Sequence, residues 1–265
     1  MHDRIVCLTE ETVETIYLLG EEQRIAGVSG YAVRPKRVRR EKPRVSAFIS
    51  ADVPKILALE PDLVLTFSDL QAGIAAELIR AGVAVHAFNQ RDVTGILAMI
   101  RTVGGFVDQP AKAGALVESL NDRMAATRDR CAHLPRHPRI YFEEWDEPMI
   151  SGIRWVSELI EFAGGTDVFE TLSHAKGAKE RIVSAEQVID ARPDIIVGSW
   201  CGKKFVPAKV AARPGFDAVP AVRDGFLREI KSPLILQPGP AALTDGLDAL
   251  EQIVAEWAVR PARVA

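Results

Sequence analysis

Ser50-Ala51-Asp52-Val53-Pro54-Lys55-Ile56-Leu57-Ala58-Leu59-Glu60-Pro61-Asp62-Leu63-Val64-Leu65 is echoed in kind by Ser184-Ala185-Glu186-Gln187-Val188-Ile189-Asp190-Ala191-Arg192-Pro193-Asp194-Ile195-Ile196-Val197. Each stretch predicts a short helix, a Pro-Asp step, a buried strand and then a polar or aromatic loop. A serine side chain can accept the orphan amides of the first turn. Proline cannot continue the helix and turns the chain into the strand. Helix-Pro-Asp-strand is common in α/β folds, so the segment between the copies matters. From Pro110 to Leu134 apolar residues fall at Ala113, Leu116, Val117, Leu120 and Met124, the spacing of one long helix face. Gly114 is a poor helix former within it. Such a helix spans roughly 35 Å at 1.5 Å per residue.

Working outward, β-rich runs alternate with helical ones, the mark of α/β architecture. Strands are predicted at Arg4–Leu8, Arg24–Ser29, Asp62–Thr66, Val83–Phe88, Arg139–Phe142, Asp194–Gly198 and Phe226–Ile230. Helices are predicted at Thr9–Leu19, Asp52–Leu59, Gln71–Ala81, Thr94–Phe106, Ile153–Ala163, Ser184–Ala191 and Ala241–Trp257. Gly104-Gly105 and Gly164-Gly165 read as helix ends. The expected fold is α/β with two lobes, each a mainly parallel sheet flanked by helices, joined by one long interlobe helix. The expected ranges are 1–108, 109–134 and 135–265.

Composition narrows the function. In 265 residues, 48% apolar and 26% charged, the chain is neither largely disordered nor a disulfide miniprotein. Its 33 basic and 36 acidic residues leave a net charge of −3, without the basic field of a nucleic-acid binder. No apolar run approaches the ~18 residues of a membrane helix, so no insertion is expected. Cys7, Cys131 and Cys201 cannot all pair and lack metal-ligand spacing. The five histidines are scattered, and His86 reads as a core residue. No basic and apolar leader precedes the first strand, so the sequence as written predicts a cytoplasmic chain, or a periplasmic one if a leader lies upstream.

Three motifs carry a family resemblance. They are Ile56 to Leu65; Tyr141-Phe142-Glu143-Glu144-Trp145-Asp146-Glu147-Pro148-Met149-Ile150-Ser151-Gly152 followed by Glu161-Phe162-Ala163-Gly164-Gly165; and Ser184-Ala185-Glu186-Gln187-Val188. In this order they resemble the substrate-binding proteins of vitamin B12 and ferric-siderophore ABC transporters, and most of all the cobalamin-binding branch. The resemblance implies two α/β lobes on a helical backbone, with a ligand held in the cleft between them.

Physical reasoning adds candidates, because ligands of open α/β sheets sit beyond the carboxyl ends of the strands. There the sequence places Phe67, Ser68, Asp69 and Gln71; Asn89, Gln90 and Arg91; Glu144, Trp145 and Asp146; and Ser199, Trp200, Cys201 and Lys203. Trp145 and Trp200 follow strands and are expected to face Phe67 from the opposite lobe; the alternative is that they pack a lobe core. Aromatic side chains cover a flat corrin or siderophore at low entropic cost, and a few polar groups orient it. Tyr31 fits the tyrosine-bearing loop of B12-binding relatives. Arg34 stands where the resemblance implies another aromatic. With Lys36, Arg37, Arg39 and Arg40 it forms a basic run that would attract an anionic ligand or simply lie solvated. Cys201 could ligate cobalt or iron, or be an incidental thiol. Glu186 matches the carboxylate that family members offer to permease arginines, and is equally a first-turn acid favoured by the helix dipole. Its counterpart falls near Gly73, where Glu77 is the nearest acid.

The expected function is non-catalytic binding of cobalamin or a related corrinoid, by a monomer, for an ABC permease or as a free carrier. No cofactor is required and the ligand is the cargo. A ferric-siderophore or haem receptor is the alternative. A two-lobe enzyme such as a tetrapyrrole chelatase is disfavoured, because no histidine falls at a strand end and no Gly-x-Gly-x-x-Gly or phosphate loop follows a strand.

Overall fold

The computed structural model describes residues 2–260. Met1 and residues 261–265, which the expected outer ranges include, lie outside the described residues. The chain divides into two compact units. One comprises the residues up to Gln90 with Thr94–Ser119, the other Arg91–Val93 with the residues from Leu120 on. The division falls inside a 22-residue helix, Pro110–Cys131.

In the first unit, β1 (Ile5–Cys7), β2 (Ile25–Ser29), β3 (Arg44–Ser46), β4 (Leu63–Phe67) and β5 (Val85–Phe88) form one sheet in the order β3-β2-β1-β4-β5. Every pairing is parallel. β1 and β4 are buried along their whole length and apolar but for Thr66, as strands covered on both faces tend to be. Val6, Leu8, Val45, Ile56, Val64 and Leu78 share one core cluster.

The helix Val93–Phe106 runs through Gly104 and Gly105 instead of ending there. A Cβ on Gly104 would stand 2.3 Å from that of Ala113 on the next helix. Gly104 is therefore a packing residue, whereas Gly164, at φ +80°, does follow the end of the helix Arg154–Phe162.

In the second unit, β6 (Arg139–Asp146), β7 (Met149–Ser151), β9 (Ile195–Gly198) and β10 (Leu227–Glu229) lie in the order β10-β9-β6-β7, and the two-residue β8 (Thr166–Asp167) also pairs β6. β7 alone is antiparallel, returning on β6 as a hairpin. Its core gathers Tyr141, Val188, Ile196, Trp200, Phe205 and Phe216. The C-terminal segment opens with a π-helical turn, Ala242–Gly246, before the α-helix Leu247–Ala258.

The echoed motifs fold alike. Glu60 and Arg192, each just before the proline, both adopt left-handed backbone, at φ 48° and 45°. Ser184 caps its helix, accepting from the Gln187 amide at 3.2 Å while Gln187 accepts from the Ser184 amide at 2.8 Å, a reciprocal capping box. In the first copy Asp52, not Ser50, is the cap, accepting from the Lys55 amide at 3.0 Å.

Candidate functional site

Parallel register carries the loops after β1 to β5 to one end of the first sheet. That rim is built on a buried side chain. Gln71 has no solvent exposure. Its Oε1 accepts from the Phe67 amide at 3.0 Å, and its Nε2 donates to the carbonyls of Phe48 at 2.7 Å and Leu8 at 3.3 Å. One amide thus ties together the loops after β1, β3 and β4. Gln71 was expected to meet ligand; it is instead the rim's internal support, because all of its polar atoms are used on backbone. Phe67 ends β4 and is buried. Ser68, at φ 59°, turns the chain sharply and accepts from the Leu70 amide at 3.3 Å, while Asp69 is exposed.

Tyr31, after β2, is 50% exposed. Ile49 after β3 and Leu70 after β4 are still more exposed, and sequence reasoning missed both. Leu70 carried a signal, a lone aliphatic residue in the polar loop Ser68-Asp69-Leu70-Gln71, whereas Ile49, in Ala47-Phe48-Ile49-Ser50-Ala51, carried none. Asn89 is exposed, Gln90 buried and Arg91 half-buried.

Arg34 does not stand free for a ligand. Its Nε is 2.8 Å from Glu14 Oε1, on the helix Glu10–Leu18. Arg37 pairs with Glu22 and Glu41, and its guanidinium lies 4.7 Å from the centre of the Tyr17 ring. Two of the five cations of that run are thus paired locally, while Lys36, Arg39 and Arg40 are exposed. Glu11, at the head of the same helix, is buried with Thr9 Oγ1 donating to it at 2.7 Å. Burial, with Glu10 beside it, pushes its carboxyl up to about 8.

His86 is a partly exposed residue of the edge strand β5, not a core one. Its ring meets Phe88 and Phe106 edge-on at 4.4 and 5.0 Å. Burial holds its imidazole below the ordinary value.

In the second unit the carboxyl end of β6 carries the charges. Trp145 lies within β6, which continues to Asp146 because β7 pairs with it. It is half-buried and donates Nε1 to the Glu147 carbonyl at 2.9 Å. Trp200 is 3% exposed and belongs to the core. Its Nε1 donates to Glu143 Oε1 at 2.9 Å, and its ring meets Phe205 edge-on at 5.0 Å. The expectation that it covers ligand is corrected: its face and its N–H are both spent inside the unit. Gly198 makes this packing possible, since a Cβ there would collide with the Phe205 ring at 1.9 Å.

Three acids at the end of β6 are each held by cations. Glu143 takes Arg213 at 2.9 Å, and Glu144 takes Arg181 at 2.6 Å. Asp146 takes both Lys203 and Lys209, the latter at 2.7 Å. Sequence reasoning missed Arg181, Lys209 and Arg213, which lie dozens of positions away and come together only by folding. Lys203 also sits 3.9 Å from the centre of the Trp145 ring, a cation–π contact. Ser199 is buried and Cys201 exposed after β9. Glu186, in the first turn of the helix Ala185–Ala191, and Glu77, in the helix Ala72–Arg80, are exposed. Hydrogen bonds from its own amide and from Ser184 hold the Glu186 carboxyl below the usual range. Among the described residues no three His, Cys, Asp or Glu side chains could hold a metal ion, and no helix is long and apolar enough to cross a membrane.

Two α/β units, each presenting side chains at the carboxyl end of a mainly parallel sheet, share the architecture of two-lobe solute-binding proteins. The profile of the periplasmic binding protein family matches residues 5–234, and the chain belongs to that family. It is 24% identical over 259 residues to the vitamin B12-binding protein of Vibrio vulnificus, covering 97% of this chain and 90% of that one. It is 27% identical over 202 residues to the cobalamin-binding protein of Halobacterium salinarum, covering 74% of this chain and 53% of that one. Among solved structures it resembles the vitamin B12-binding protein BtuF of Vibrio cholerae, with a TM-score of 0.77 at 20% identity over 98% of this chain and 99% of that one. It also resembles the periplasmic haem-binding protein BhuT in complex with two haems, with a TM-score of 0.82 at 24% identity over 97% and 99%.

Proposed function

We propose that this chain is the non-catalytic solute receptor of an ABC-type import system, that it acts in the periplasm, and that its cargo is cobalamin or a related corrinoid. The observation that carries the reading is the match to a vitamin B12-binding protein along 97% of the chain. The site chemistry supports it. A corrin offers broad apolar area rimmed by amides, which suits exposed apolar groups beside polar ones. We assign recognition to Tyr31, Ile49, Leu70 and Asp69 on the first rim, and to Trp145, Lys203 and Cys201 on the second. Phe67, Ser68, Gln71 and Trp200 shape these rims from within, and Arg34 acts through its pair with Glu14. The receptor binds without turnover, as a single copy. The exposed acids Glu186 and Glu77 are our candidates for pairing with permease arginines.

The test is a titration of the purified protein with cyanocobalamin and aquocobalamin, followed by absorbance and calorimetry, with haem and a ferric hydroxamate beside them. The expected result is saturable one-to-one cobalamin binding, about micromolar or tighter, or roughly −8 kcal/mol. Tight binding of haem or the ferric chelate with none of either cobalamin overturns the cargo.

A further inference from the structure

We propose that Lys203 and Lys209, clamped on Asp146, form an oxyanion subsite that receives an acidic group of the ligand, a phosphodiester or a carboxylate. The inference rests on the reading of the chain as a solute receptor and adds what part of the solute this rim reads.

The argument begins with charge. Glu143 and Glu144 each face one arginine, and each pair is neutral. Asp146 faces two lysines, so that triad keeps one positive charge. Glu147, exposed and next in the chain, acts on Lys209 through its charge alone, whereas Asp146 also accepts its hydrogen bond. The carboxylate is the buried member, with its side chain 1% exposed, while those of Lys203 and Lys209 are 39% and 53% exposed. The cations therefore stand between a buried anion and solvent. Burial alone would push the Asp146 carboxyl up, but the two lysines hold it below its ordinary value. It stays ionised and keeps both ammonium groups in place.

Hydrogen-bonding capacity points the same way. An ammonium has three donors, and Asp146 occupies one on each lysine. The remaining donors are open to an incoming oxyanion. The lysines are also fixed in advance. Lys203 rests on the Trp145 ring, and Lys209 stands on the helix Pro207–Ala211, so part of the rotamer entropy that lysine loses on binding is already spent. The triad lies at the carboxyl end of β6, where solutes of such sheets are recognised.

The experiment compares Lys209→Gln, Lys209→Arg and wild type. Lys209→Gln leaves Lys203 on Asp146, so the buried carboxylate keeps a partner and the unit stays folded, which a melting curve confirms. Each protein is titrated with cyanocobalamin, which carries a phosphodiester, and with dicyanocobinamide, which lacks it. Haem and its dimethyl ester, with propionates free and blocked, form the second pair. Lys209→Gln is expected to weaken the acidic member of whichever pair binds by about tenfold, to leave the other member within about twofold, and to be rescued by Lys209→Arg. The loss should shrink as salt rises. The pair that responds tells phosphodiester from carboxylate. Equal loss for both members, or none, overturns the subsite while the receptor reading stands. Failure of the wild type to bind any of the four overturns both.

Discussion

Asp194 accepts the Arg139 amide through Oδ2 at 2.8 Å and returns its own amide to the Arg139 carbonyl at 2.8 Å. The Arg139 Nε in turn donates to the Ala191 carbonyl at 3.1 Å. The first unit repeats the device. Asp62 Oδ2 accepts from the amides of Asp3 and Arg4 at 2.7 and 3.2 Å, and Arg4 Nε donates to the Leu59 carbonyl at 2.9 Å. The Pro-Asp echo is thus a splice that fixes the start of one strand against its neighbour and closes the preceding helix. Asp194→Ala should lower stability by about 1.5–3 kcal/mol, the scale of a hydrogen bond to a charged group. Urea denaturation measures it, and an unchanged midpoint would remove the splice from the account of the fold.

Trp200→Phe removes the bond to Glu143 while Arg213 still holds that buried carboxylate. The expected loss is about 1–3 kcal/mol, with cyanocobalamin affinity within twofold of wild type. An affinity loss at an unchanged melting temperature would return Trp200 to the ligand.

Gln71→Leu keeps the volume and takes a side-chain partner from the Leu8 and Phe48 carbonyls and the Phe67 amide. A cost of about 1–3 kcal/mol is expected for each buried group left unsatisfied. Amide exchange should quicken at Phe67 in particular; exchange at the wild-type rate would mean that the loops hold without the tie.

Glu11 makes stability depend on pH. Its ordinary value is 4.5 and its folded value about 8. Between these the folded chain holds a proton that the unfolded chain has released. Stability is therefore full below 4.5 and falls as pH rises towards 8, by about 1.4 kcal/mol per pH unit at most. Glu11→Gln should flatten that slope in denaturation curves taken at pH 5, 6.5 and 8. A slope identical to wild type would assign the proton elsewhere.

Glu186→Gln should leave cyanocobalamin affinity unchanged and slow uptake in cells that depend on this receptor. A weakened ligand affinity would place Glu186 at the ligand instead of the permease.

Much of the fold was legible because long signals report it. The Pro-Asp steps, the apolar strands around Val64 and Ile196 and the amphipathic run from Pro110 each combine several residues into one local pattern. The short β3 and β8 lack such a pattern. β7 was missed for another reason: Glu147-Pro148 reads as a break, yet the chain turns there and pairs back on β6. The candidate site was legible as a set of loops but not as roles. Tyr31 and Trp145 stand at their rims, whereas Trp200 and Gln71 went inward, because an indole N–H and a carboxamide are satisfied as fully by buried Glu143 and by backbone as by a ligand.

The alternation of strands and helices, the echo and the family are all readable from residue order, since each depends on neighbouring residues and on chain-long similarity. Which charges are spent is settled by folding. Arg34 meets Glu14 twenty positions away, Arg213 meets Glu143 seventy away, and Lys203 and Lys209 meet on Asp146 about sixty away. A side chain's partner is set by the packing of strands and helices, and a charge becomes available to a solute only after that packing has used the rest.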